Sequence, residues 1–137
     1  MATNTVGTNA REYPQQMVHY LRKSVAFDTN GIATGVKMGT IPVGAQILNL
    51  TANVSTGFNS AGTNRLVVGT NSTSFNNIAT STTLAASTAG AKVSTIGGAL
   101  SFTQDTDVYV KYTAATGTAA DAGAATLVLS YVPDNDG

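Results

Sequence analysis

The sequence has no cysteine, no tryptophan, one histidine and only three prolines. Without cysteine there are no disulfides and no thiolate metal sites, which excludes the small secreted scaffolds that disulfides staple. The chain has 137 residues. That is one ordinary domain, which buries roughly two-thirds of its unfolded surface and can rest on a single core. No apolar run approaches the ~18 residues of a membrane span. The opening MATNTVGTNAREY also lacks the basic and apolar regions of a signal peptide. The expectation is a chain made and kept in a cytoplasm, or assembled there into something larger.

Charge is the next scarcity. Only 10% of residues are charged, against about 25% in a typical soluble domain. Hydrophobic content is a normal 42%, so the composition is not that of a disordered chain. The polar surface must come from Thr, Ser, Asn and Gly, which suit strand faces and turns and disfavour helix interiors. Few charges and a formal net charge of zero describe a protein packed against neighbours rather than a freely soluble monomer. The charges are also segregated. Arg11, Arg22, Lys23 and Lys37 stand against Glu12 and Asp28 in the first part of the chain. Lys111 stands against Asp105, Asp107, Asp121, Asp134 and Asp136 in the last. Such runs are solvated ends, or a basic segment that meets an acidic partner. No basic stripe interleaved with aromatics points to nucleic acid.

Residues 1–16 show no apolar periodicity and read as an extended N-terminal arm, with residues 17–137 as the folded domain. In MVHYLRKSVAF, alternation fits a strand, while Met17, Leu21 and Val25 also fit one face of a helix. Asp28-Thr29-Asn30-Gly31 follows at once and reads as a hairpin turn, which favours the strand. Ile41-Pro42-Val43-Gly44 is a second turn signal. After it, Leu48, Leu50, Ala52 and Val54 share one face, and Asn49, Thr51, Asn53 and Ser55 share the other. Such alternation describes a strand buried on one side, with solvent or a polar interface on the other.

Arg65–Gly69 is a short strand. Residues 70–99 read as long loops with one or two short strands, anchored by Phe75, Ile78, Leu84, Val93 and Ile96. Val108, Val110 and Tyr112 mark another strand, and residues 125–132 a last one that Pro133 ends. About seven to nine short antiparallel strands between turn signals make an all-β sandwich or barrel.

Catalytic chemistry lacks parts. His19 is the sole histidine; no second histidine or cysteine completes a zinc site, and no nucleophile-elbow glycine pattern flanks a serine for a triad. No glycine-rich phosphate loop is present. Asp105 with Asp107, and Asp134 with Asp136, are paired carboxylates, but a glycosidase cleft would bring aromatic platforms with them. Asp-Asn-Asp-Gly at the end of the sequence starts like a calcium loop without its closing glutamate. The expectation is no enzyme, no metal and no cofactor, with the aspartates shaping turns.

GTIPVGAQILNLTANVSTGFNSAG and NRLVVGTNST, with the ending DTDVYVKYTAATGTAADAGAATLVLSYVPDNDG, resemble short proteins encoded near the major capsid gene of tailed bacteriophages. The shared features are an Ile-Pro-x-Gly-Ala turn, an Asp-x-Tyr-Val-x-Tyr strand and a terminal Tyr-Val-Pro. The resemblance covers most of residues 31–137. It implies a capsid decoration (cement) protein with a jelly-roll-like β-sandwich. Such a protein is a homotrimer on the virion surface, assembled in the host bacterial cytoplasm, and its partner is the major capsid protein. Neither nucleic acid nor a membrane is expected as a partner. On that reading Arg11, Tyr13, Tyr20, Arg22 and Lys23 are the expected capsid or subunit interface, because tyrosine and arginine favour interface cores and rims. The alternative is a host-surface or glycan-binding module of a phage tail or head fibre, marked by an exposed aromatic platform.

Overall fold

The structure is a computed structural model that describes residues 18–79, 84–94, 96, 102–114 and 119–134. Seven strands are described: β1 His19–Ala26, β2 Val36–Ile41, β3 Gln46–Thr56, β4 Arg65–Gly69, β5 Gly90–Ser94, β6 Thr106–Thr113 and β7 Ala124–Val132. All pairings are antiparallel. A larger sheet has the order β1-β7-β3-β5 and a smaller sheet the order β2-β6-β4. The two sheets bury Leu50, Val54, Leu127 and Leu129 from one side against Ile41, Leu66, Val108 and Val110 from the other.

The pairings are nested. β1 lies on β7, β2 on β6 and β3 on β5, and β4 bridges to Ala79 and Ala85 just beyond it. The chain is thus one long antiparallel ribbon with its bend at residues 70–78. Rolling that ribbon adds the β3–β7 and β4–β6 pairings, which is the winding of a jelly roll. Beside β4, the described residues contribute these two bridges to the smaller sheet.

Strand chemistry prevails over the helix alternative for β1. Val25 is buried, Leu21 and Lys23 are half-buried on the same side, and Tyr20, Arg22 and Ser24 are exposed on the other. This is the period of two of a strand with one covered face. The expected β1–β2 hairpin does not form, because β1 and β2 belong to different sheets. Asp28–Gly31 does turn the chain, with Thr29 N–H donating to Ala26 C=O at 3.1 Å. The chain then crosses the sandwich instead of returning beside itself. Ile32 is buried as a plug in that crossing, and its carbonyl accepts from Tyr112 N–H at 2.9 Å.

A β-bulge corrects the reading of β3. Between Ile47 and Asn49 the register against β7 shifts, so Ile47 is 6% exposed and Leu48 is 49% exposed. One extra residue inverts the alternation locally. From Leu50 onward the expected face holds, with Leu50, Ala52 and Val54 all buried. Val93 is a second correction, since β5 turns it outward and buries Ser94 instead. The 42–45 turn closes with Ala45 N–H donating to Pro42 C=O at 3.2 Å. Its third residue, Gly44, has φ 80°, a conformation that only glycine adopts at no steric cost.

Candidate interaction face

The two sheets present opposite kinds of outer surface. On the smaller sheet, Lys37 pairs with Asp107 at 2.9 Å and the Thr40 hydroxyl donates to the same carboxylate at 2.7 Å. These two partners hold the Asp107 carboxyl below its ordinary range, the Thr40 hydrogen bond contributing most. Beside them the chain covers its own sheet. Phe75 stacks on Tyr109 with ring centres 4.7 Å apart, and Lys111 Nζ donates to Thr73 C=O at 3.0 Å. Val67 is buried without joining the main core, which places it beneath this covering.

The covering loop is tightly made. Thr73 and Phe75 hold left-handed backbone at φ 69° and 48°, which costs on the order of 1 kcal/mol each for such residues. Asparagine amides offset that cost. Asn77 Oδ1 accepts from Thr70 N–H at 2.7 Å, Asn77 Nδ2 donates to Thr70 Oγ1 at 2.8 Å, and Asn71 Oδ1 accepts from Asn76 N–H at 2.9 Å. Gly69 lets the loop approach, because a Cβ there would fall 2.6 Å from the Phe75 carbonyl carbon.

The larger sheet carries no comparable cover among the described residues. Its register builds rows of outward side chains: Ser24, Thr126, Asn53 and Ala91, then Arg22, Val128, Thr51 and Val93. A third row holds Tyr20, Ser130 and Asn49, with Leu48 bulged beside it. Ser24 and Thr126 hydroxyls are 3.0 Å apart and share a hydrogen bond. Arg22 is the only charged side chain in these rows. Four of the five large hydrophobics that the structure leaves exposed lie on this face or at its edge: Val18, Tyr20, Leu48 and Val93. The fifth, Val43, sits in the 42–45 turn. Tyr20 is 65% exposed and Val93 71%. A broad face made mostly of methyl, hydroxyl and amide groups can bind another surface by shape and burial.

The expected interface residues divide. Arg11 and Tyr13 lie outside the described residues, as does the whole 1–16 arm. Tyr20 and Arg22 stand on the neutral face, held in β1 rather than on a flexible segment. Lys23 faces Leu127 across the register and leans to the core side. The sequence places Leu48 on the buried face of its strand and Val93 among the anchors, so neither they nor Val128 are expected on this face; the polar alternation of Asn49, Thr51 and Asn53 is the available signal.

The candidate chemical groups among the described residues have local partners, and Asp136 lies outside them. Asp105 accepts from Val43 N–H at 3.0 Å, and the His19 ring stacks on Tyr131 at 5.8 Å. Asp134 packs against Gly44. No group of three or more metal-ligating side chains gathers among the described residues.

No protein-family model and no curated protein matches the chain. Solved structures do. A chain of the structure described as "Cyanophage Pam1 capsid asymmetric unit" is 23% identical, with 97% of each chain covered and a TM-score of 0.63. A chain of the "Acidic stable capsid structure of Helicobacter pylori bacteriophage KHP30" is 13% identical, covering 85% of this chain and 89% of that one, with a TM-score of 0.55. At these identities the likeness is one of fold, and the chain therefore shares its β-sandwich with protein chains found in two bacteriophage capsid structures.

Proposed function

We propose that the chain is a structural virion protein, not an enzyme, that binds the outer surface of a phage capsid and stabilises contacts between major capsid subunits. The observation that carries this reading is the neutral outer face of the larger sheet, which nothing among the described residues covers, in a fold shared nearly end to end with a chain of a phage capsid asymmetric unit. The low charge of the whole surface supports it, as does the resemblance to phage decoration proteins, which further implies a homotrimer. Attachment through several modest contacts holds when geometry lets all engage together.

Exposed Tyr20 among Ser130 and Asn49 is the one feature that favours a glycan-binding fibre module instead. Copy number in purified particles separates the two. Decoration predicts hundreds of copies spread over the shell, together with particles that lose heat or shear resistance when the gene is deleted. A handful of copies at one vertex, with unchanged particle stability, would overturn it.

A further inference from the structure

We propose that Asn30 is a modification site, at which the side-chain amide is converted to an acid through attack by the main-chain nitrogen of Gly31. This goes beyond the capsid reading and does not depend on it.

Asn30-Gly31 is the one Asn-Gly step in the sequence. Asparagine is among the thermolabile side chains, and glycine, having no Cβ, leaves its own nitrogen open to approach. The structure puts this step in an exposed turn between β1 and β2. Ile32 N–H donates to Thr29 C=O at 3.0 Å and Gly31 has φ 81°, the pattern of a type II turn with glycine in third place. Both flanks are pinned. Thr29 Oγ1 accepts from Ala26 N–H at 2.7 Å. The Gly31 carbonyl accepts from the Thr34 hydroxyl at 3.0 Å and from Gly35 N–H at 2.9 Å.

The reacting pair is not pinned. Among the described residues, neither the Asn30 amide nor Gly31 N–H has a hydrogen-bond partner. The space at Gly31 is open, since a Cβ there would meet nothing closer than Thr34 Oγ1 at 3.9 Å. The peptide between the two residues can turn without moving its neighbours, because glycine accepts φ of either sign. Other asparagines lack this combination. The Asn59, Asn71 and Asn77 amides are held by hydrogen bonds, and Asn64 is buried. Asn49 and Asn53 lie within β3, each followed by a buried residue, Leu50 and Val54.

The step balances with water as its only co-reactant. Gly31 N bonds to Asn30 Cγ, the Cγ–Nδ2 bond breaks, and the Gly31 proton leaves with Nδ2 as ammonia. Water then opens the cyclic imide. Opening at Cγ gives aspartate; opening at the Asn30 main-chain carbonyl carbon gives isoaspartate, whose backbone runs through the side chain. Either product adds a negative charge two residues from Asp28. Isoaspartate also adds a methylene to the main chain between the Thr29 carbonyl and the Ile32 N–H that close the turn. Ile32 is buried, and its carbonyl accepts from Tyr112 N–H at 2.9 Å, so isoaspartate loosens the crossing that seats this plug.

The test incubates the whole chain, wild type and Asn30→Gln, in mildly alkaline buffer made with heavy-oxygen water. Peptide mapping by mass spectrometry follows each asparagine, and thermal melts compare fresh and aged protein. Wild type should take up solvent oxygen at residue 30 sooner than at any other described asparagine, with isoaspartate among the products. Aged wild type should melt earlier than fresh protein. Aged Asn30→Gln, whose amide is one carbon farther from the nitrogen, and fresh Asn30→Asp, which carries the charge without the methylene, should melt close to fresh wild type. An Asn30 that keeps its amide while Asn71 or another described asparagine converts would overturn the site. Conversion with an unchanged melt, or an equal loss in aged Asn30→Gln, would overturn the link to the crossing.

Discussion

Replacing Asn64 by alanine should be among the most damaging polar substitutions in the domain. Asn64 is 1% exposed and lies between the loop after β3 and the start of β4. Its Oδ1 accepts from Ser60 N–H at 3.1 Å, from the Ser60 hydroxyl and from the Tyr112 hydroxyl. Its Nδ2 donates to Ser60 C=O at 3.1 Å. Alanine leaves the Ser60 N–H without its acceptor, which costs about 1–3 kcal/mol for a buried donor, and removes a donated bond worth about 1 kcal/mol. The two hydroxyls recover part of the loss, being already 3.2 Å apart.

The sum is about 3 kcal/mol, or roughly 10 °C in Tm for a chain of this size. Tyr112→Phe deletes only one of the three donors to Asn64 and preserves the ring that packs on Phe58 at 4.6 Å. It should cost about 1 kcal/mol. Urea unfolding followed by circular dichroism measures both, with unchanged slope if only stability moves. Equal costs for the two variants, or less than about 1 kcal/mol for Asn64→Ala, would refute the central role given to the amide.

Three further outcomes follow from the packing and charge. Gly69→Ala should destabilise by about 2 kcal/mol, because its Cβ meets the backbone of Phe75 and Asn76; a thermal melt within 1 °C of wild type, a difference of about 0.3 kcal/mol or less by size scaling, would contradict this. Leu48→Ser should stay within about 0.5 kcal/mol of wild type, whereas Ile47→Ser should cost about 3 kcal/mol or more; the reverse order in urea melts would place the bulge elsewhere. Asp107, whose folded carboxyl is held low by Thr40 and Lys37, contributes stability that is present above the ordinary aspartate value near ~3.9. That contribution is lost as pH falls through the lower folded value. The stability gap between wild type and Asp107→Asn should therefore be constant above about pH 5 and close below about pH 4, as denaturant titrations across that range would show.

The strands that sequence made legible are those whose local pattern suffices. Arg65–Gly69 and the run ending at Pro133 needed only β-branched density and a stop signal, and both appear as β4 and β7. What failed was non-local. Asp28–Gly31 has the chemistry of a turn, but no short-range feature says whether the next strand returns to the same sheet. Only the burial of Ile32 and its bond to Tyr112 fix the crossing. The bulge at Leu48 was hidden because one extra residue still leaves an apolar residue every second position. Val93 read as an anchor because valine in a polar stretch suggests a core, yet β5 sits at the sheet edge with that side chain outward. The neutral face was half-legible for a related reason. Its polar column in β3 alternates visibly, while its apolar members come from strands that become neighbours only when the ribbon rolls.

The most direct test of the capsid reading is hydroxyl-radical footprinting of the unmodified chain, free and on assembled particles. Tyr20, Leu48 and Val93 should react in the free protein and lose that reactivity on the particle, while Val43, exposed away from the face, keeps its own. Tyr20 and Val93 equally reactive in both states, or protection confined to Val43, would contradict the account.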